Sequence, residues 1–210
     1  MAIYTPRAFA AQDAAVIERL IREHSFATLI TPGDPEPAIS HLPLQYHAAG
    51  GARGMLLGHM ARANPHWQAF GRAPSIAIFH GPHAYVSPSW YTEPAAAVPT
   101  WNYVVAHVHG RVELMADLDA KRRLLDEMIE RYEGGRAEPW RLQLEGRPLA
   151  AMLDAIVGFR LTIERVDTKL KLSQNRSAAD RDRVIAALRD EGYEEALASA
   201  EWMERYAREG

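Results

Sequence analysis

Cysteine is missing from all 210 positions. That excludes disulfides, thiolate metal sites and cysteine nucleophiles, and it is compatible with a reducing compartment. No apolar run is long enough to cross a bilayer, and Arg7, Asp13, Glu18 and Arg19 interrupt the stretch where a signal peptide would carry its apolar core. The expectation is a soluble, cytoplasmic protein. An excess of one charge is also lacking, since 24 Lys and Arg against 27 Asp and Glu leave a net charge of -3. No whole-molecule field attracts nucleic acid or an anionic membrane, so any such binding needs a local patch. There is no G-x-G-x-x-G after a strand, no P-loop, no H-E-x-x-H and no G-x-S-x-G. Dinucleotide-fold, Walker, zincin and hydrolase-elbow chemistry therefore have no foothold.

What is present centres on Ser75 to Val108. Two apolar runs, Ile76 to Phe79 and Tyr103 to Val108, read as buried strands, and a long segment rich in proline and aromatics lies between them. Trp90, Tyr91, Trp101 and Tyr103 need apolar cover, an expensive composition for a merely solvated loop. The segment reads either as one wall of a pocket for a flat ligand or as a loop folded back to cap a barrel end.

Around this stretch the chain alternates helices and strands. Apolar residues at helical spacing predict helices over Asp13 to His24, from Asp117 to Gly134, over Pro148 to Ala155, from Ser177 to Gly192, and from Glu194 onward. Strands are predicted over Phe26 to Thr31, Ile39 to Tyr46, Met55 to Met60 and Ile156 to Val166, with Pro43 marking an edge or bulge. The strand from Tyr103 runs on to Leu114 with a bend at Gly110. With 48% hydrophobic residues the chain can bury a substantial core. One main domain over 1–176 is expected, with the helices of 177–210 packed on it.

Two segments read as anion contacts. Asn64 is a good N-cap and Pro65 suits a first helical turn, so a helix opening there would aim free amides at the end of the preceding strand, where Arg62 adds a guanidinium. The alternative is a plain cap beside a solvated arginine. In KLKLSQNR, strand alternation puts Lys169, Lys171 and Ser173 on one face, a cationic and hydroxylated ridge. The histidine pairs His80 and His83, and His107 and His109, raise a metal question, but no carboxylates stand at fitting spacing and structural histidines are the better account.

GHMARANPHW (58–67), GPHAYVSPSWY (81–91), VPTWNYV (98–104) and KLSQNR (171–176) resemble, in order over nearly the whole chain, the signature blocks of the PaiB family, FMN-binding proteins described as negative transcriptional regulators. The resemblance implies an α+β fold, the antiparallel FMN-binding split β-barrel shared with pyridoxamine phosphate oxidases and flavin reductases, with surrounding helices. It also implies a homodimer with FMN near the subunit interface. Carried onto this sequence, it makes Arg62 and Asn64 the holders of the FMN phosphate, with His59 among the cofactor-binding candidates. Trp90, Trp101 and Asn102 then border the isoalloxazine, Thr100 beside them is a further cofactor-binding candidate, and Lys171, Ser173, Gln174 and Arg176 are candidates for a second phosphate contact or interface arm. His66, Thr168 and Leu170 depart from the family pattern, as does the alanine-rich link from Glu93 to Val98.

Three functions compete at this point. A flavin-binding regulator follows from the family, although Asp180, Asp182, Asp190 and Glu191 dilute the arginines that DNA contact by the 178–188 helix would require. An FMN-dependent oxidoreductase or flavin reductase needs only position and water exclusion from the protein, with His59, His83 and Tyr85 as polar candidates near a substrate. A flavin-free split barrel binding haem or another flat molecule would use the same aromatic wall.

Overall fold

A computed structural model describes residues 3–10 and 14–209. The chain divides into two compact units, each assembled from separate stretches: one within residues 1–24, 80–107 and 167–210, the other within 25–79 and 108–166.

The second unit is built on β1 (Phe26–Thr31), β2 (Ala38–Pro43), β3 (Gln45–His47), β4 (Met55–Ala61) and portions of three long strands, β5 (Ser75–Val86), β6 (Thr100–Met115) and β7 (Ile156–Lys171). All seven lie in one sheet ordered β2-β1-β5-β6-β7-β4-β3. Alternation fixes its buried face. Ala27, Leu29 and Thr31 of β1 point inward while Thr28 pairs outward with His41 of β2. In β7, Val157, Phe159, Leu161 and Ile163 are buried. Gly58 of β4 stands opposite Phe159, where an added Cβ would lie 3.0 Å from the ring and 2.6 Å from Leu44 Cδ2, so the glycine makes room for two fully buried side chains.

The single strand expected over Ile39 to Tyr46 is two. It breaks at Leu44, whose N–H is donated to Ser25 O at 2.8 Å, and the chain passes there from one sheet edge to the other. Pro43, lacking an N–H, ends the pairing with Phe26. The sheet curls so that β2 approaches β4, which is what turns it into a partly closed barrel. Gly110, within the continuous β6, makes a close approach, since a Cβ there would sit 2.1 Å from Thr162 O. Helix α2 (Leu118–Glu133) is capped by Asp117, which accepts from the N–H groups of Asp119 and Ala120, and α3 (Gly146–Asp154) packs beside it.

The first unit contains α1 (Ala14–Glu23), the remaining halves of β5, β6 and β7, and the hairpin of α4 (Ala178–Glu191) and α5 (Glu194–Glu209). Asp13, the expected start of α1, lies outside the described residues. Val16, Leu20 and Ile21 form its buried stripe, and Leu20 Cδ1 comes within 2.8 Å of where a Cβ on Gly81 would be. Ser177 accepts from Asp180 N–H to open α4, and Gly192, at φ 71°, closes it as the capping pattern predicts. β5 runs seven residues beyond the predicted Phe79, to Val86. The Gly81-Pro82 pair hides this in the sequence, yet Ala84 and Val86 stay inside while His83 and Tyr85 stay out.

Candidate functional site

In the second unit, the end of β4 delivers His59, Arg62 and Asn64. The helix expected after Asn64 is a five-residue 3-10 turn, Pro65–Ala69, because Phe70 returns to an extended conformation and Gly71 takes φ 80°. So short a turn sums little dipole and presents few free amides. Asn64 spends both ends of its amide inside the unit: Oδ1 accepts from His66 N–H at 3.0 Å and Nδ2 donates to Ser40 Oγ at 3.0 Å. His66 is buried, with Nδ1 2.8 Å from Ser40 Oγ and Nε2 2.8 Å from Thr31 Oγ1, itself 2.7 Å from Ser75 Oγ. Burial lowers its pKa from 6.5, so the ring is held neutral.

Arg62 is turned toward the C-terminal end of α3. Nε donates to Asp154 O at 2.5 Å and Nη2 to Ile156 O at 3.4 Å, while the buried Lys121 ammonium donates to Leu153 O at 3.0 Å and Ile156 O at 3.3 Å. Two cations thus cap the carbonyl end of one helix, where the dipole is negative. That field favours cations and opposes a phosphate. Nearby, burial also lowers the His59 pKa, and its Nδ1 is buried without a partner among the described residues.

The first unit gathers the remaining candidates. Lys171 of β7 donates from Nζ to Thr100 Oγ1 and, at 2.6 Å, to Trp101 O. Burial lowers the Lys171 pKa, and the like charges of Lys169 and Arg176 lower it further. After β7 the chain turns at Ser173, whose φ of 63° is unusual for a residue with a Cβ. The turn is held from several sides. Ser173 Oγ accepts from Asn102 Nδ2 at 3.0 Å, and Arg176 N–H is donated to Ser173 O at 3.0 Å. Gln174 accepts from Leu172 N–H at 2.7 Å and donates to Leu170 O at 2.5 Å, so its amide serves the backbone. The Arg176 guanidinium lies 4.4 Å from the centroid of the Tyr91 ring.

These groups enclose a hollow of about 90 Å³, lined by Thr100, Asn102, Lys171, Ser173, Asn175 and Arg176 with Tyr91 and Val98. A second, apolar cleft of about 390 Å³ is bordered by His80, Gly81, His83, Trp101, Tyr103, Val104 and Val105. Trp101 is 52% exposed, with the His83 ring centroid at 6.3 Å and the Tyr85 ring edge-on at 6.0 Å. The Lys169 ammonium stands 5.4 Å from the Tyr103 centroid. Trp90 borders neither space, and its carbonyl accepts from Arg183 Nε at 2.7 Å.

Thr100, Trp101, Asn102, Lys171, Ser173 and Arg176 are therefore brought together in this unit, and Gln174 supports their turn from behind. Asn175 is added, and Tyr103, one of the aromatics expected in the wall, borders the apolar cleft. Asn175 carried no signal beyond its place in KLSQNR, whereas Lys169 was marked by its alternation with Lys171. Among the described residues no group of three His, Asp or Glu is placed to hold a metal ion. A flavin mononucleotide asks for a flat apolar wall and a cationic recess, and this unit has both.

Comparison with known proteins points the same way. Residues 3–165 match the family described as "Putative FMN-binding domain". The chain is 36% identical over 205 residues to the protease synthase and sporulation protein PAI 2 of Bacillus subtilis (strain 168), covering 96% of this chain and 97% of the relative. Among solved structures it resembles the flavocytochrome Anf3 from Azotobacter vinelandii, with a TM-score of 0.62 at 16% identity over 80% of this chain and 72% of that one. It also resembles the FAD and heme binding protein from Mycobacterium smegmatis, with a TM-score of 0.61 at 21% identity over 85% of this chain and 79% of that one. At these identities the two structures establish the fold, a flavin-type split barrel.

Proposed function

Because the chain belongs to the FMN-binding PaiB family, we propose that it holds FMN on its first unit, with the isoalloxazine against the Trp101 cleft, and that it acts as a flavin-dependent regulator. The observation that carries the reading is Trp101 itself: a large aromatic, 52% exposed, beside an apolar cleft, with the Lys171 ammonium bonded to its carbonyl at 2.6 Å. A flat electron-poor ring gains both area burial and stacking there. Bound FMN supplies reversible electron transfer. The chain's own residues supply the setting for it. Trp101 and Tyr103 give the apolar wall that excludes water. His83, whose N–H is donated to Glu195 Oε2 at 3.3 Å, is fixed at the cleft's rim by the first turn of α5.

A homodimer belongs to this reading, since Val98, Tyr85 and Trp101 leave apolar surface that a second chain would cover. The regulatory role rests on the similarity to PAI 2. Direct DNA contact by α4 is not favoured, because its arginines are engaged: Arg181 with Arg176 O, Arg183 with Trp90 O and Arg189 with Glu204. A protein partner that senses the flavin-bound form suits the surface better.

The test is a flavin titration of Trp101→Ala beside Trp140→Ala, an exposed tryptophan of the second unit. Loss of one stacking partner is expected to weaken FMN about tenfold in the first variant only, as expected for roughly 1.5 kcal/mol. Equal affinities in both variants would overturn the placement.

A further inference from the structure

One aromatic ring of the first unit stands outside the wall described above. Tyr4 lies in a short segment ahead of α1, anchored by Phe9, which is buried at the end of the 3-10 turn Arg7–Phe9. The Tyr4 ring is 82% exposed, so most of its apolar area is free to cover something else. It is nevertheless tethered. Lys169 donates from Nζ to Tyr4 O at 3.1 Å, and the same ammonium stands 5.4 Å from the Tyr4 centroid and 5.4 Å from that of Tyr103. Both distances fall within the range of a cation–π attraction. One ammonium therefore ties the segment to the strand that builds the cleft, because Trp101, Tyr103 and Val105 alternate on one side of β6 and all three line that space.

From this arrangement we propose that residues 3–9 are a strap latched by Lys169 at the edge of the cleft, and that Tyr4 closes over a flat ligand lying against Trp101 and Tyr103. The ligand is taken from the FMN reading, on which this inference rests, whereas the strap is drawn from Tyr4, Lys169 and Tyr103 alone. A ligand stacked on Trp101 by one face leaves the other open to water. A second ring over that face removes more of its surface from water and adds a stacking partner. The latch suits such a part, since a surface hydrogen bond and two exposed cation–π contacts are individually small. The strap can lift for the ligand to enter while Phe9 stays in the core as its fixed end.

The experiment follows two events in the full chain and in Tyr4→Ala, Tyr4→Phe, Lys169→Met and the control Tyr193→Ala, whose ring is exposed in the same unit and lines neither space. Release of FMN is read from the recovery of flavin fluorescence on dilution, and trypsin cleavage after Arg7 from the appearance of the peptide 1–7. Because Tyr4 is exposed, its replacement leaves the core intact. Tyr4→Ala and Lys169→Met are expected to release FMN about three- to tenfold faster than the native chain, the worth of one ring contact, while Tyr4→Phe and Tyr193→Ala stay within about twofold of it. FMN should slow cleavage after Arg7 in the native chain, and Lys169→Met should speed that cleavage even without ligand, which a cation acting only on the flavin would not do. A native release rate in Tyr4→Ala, or cleavage after Arg7 that neither FMN nor Lys169→Met alters, overturns the proposal. If FMN does not bind the native chain, the FMN reading fails by itself, and haemin, a second flat ligand, takes its place as the probe. Cleavage after Arg7 slowed by haemin then upholds the strap, and cleavage that haemin leaves unchanged ends it.

Discussion

Replacing Ser173 by alanine and, separately, by glycine reads the strain at the turn directly. Both substitutions delete the hydroxyl that meets Asn102 at 3.0 Å, and Asn102 is buried, so each should cost about 1–3 kcal/mol for an amide left without that partner. They differ in the Cβ. At a φ of 63° a residue with a Cβ carries roughly 1–2 kcal/mol that glycine escapes. Glycine returns about 0.4–1 kcal/mol of this through the greater freedom of its unfolded chain. The glycine variant should therefore be the more stable of the two by about 0.5–1 kcal/mol, the reverse of the order at an ordinary strand position. Urea unfolding midpoints of the two proteins, compared at equal slope, measure the difference. An alanine variant as stable as the glycine variant, or more so, would refute strain at Ser173.

Other outcomes follow from the second unit. Lys121→Met removes two bonds from a buried ammonium to the end of α3 and should cost about 2 kcal/mol, seen as a melting temperature lowered by roughly 4–8 °C. Gly110→Ala, whose methyl would strike the Thr162 carbonyl, should cost about 3 kcal/mol in the same melt. His66 and His59 have lowered pKa values through burial, so the unfolded chain binds more protons below the ordinary value of 6.5. Stability is expected to fall as the pH drops from 6.5 toward their lowered folded values, and to stay level with respect to these two groups above it. His66→Gln should flatten that part of the profile, and an unaltered profile would contradict the neutral, buried ring.

Most strands and helices were legible because alternation and caps act locally. The stripe of α1, the Ser177 cap and the terminating Gly192 involve neighbours within a turn or two. What escaped was decided at a distance. The break at Leu44 depends on the Ser25 carbonyl and on a sheet whose two edges must be joined. The extension of β5 past Gly81 and Pro82 depends on burial against the first unit's own core. Arg62 is the instructive case at the site level. An arginine before Asn-Pro has the pattern of an anion cradle, yet its guanidinium serves the end of α3, a helix 92 residues further along. No local signal distinguishes the two uses. Lys171 and Ser173 were marked by alternation as a cationic and hydroxylated ridge, but the left-handed turn that closes the hollow has no sequence signature without glycine or asparagine at that place.

The central claim is that this chain binds FMN on its first unit. It is tested most directly by the absorption and fluorescence spectrum of the purified protein titrated with FMN, with riboflavin alongside. A perturbed, saturable flavin spectrum with quenched fluorescence, and tighter binding of FMN than of riboflavin, is the predicted result. Spectra that remain those of free FMN at every protein concentration would contradict it.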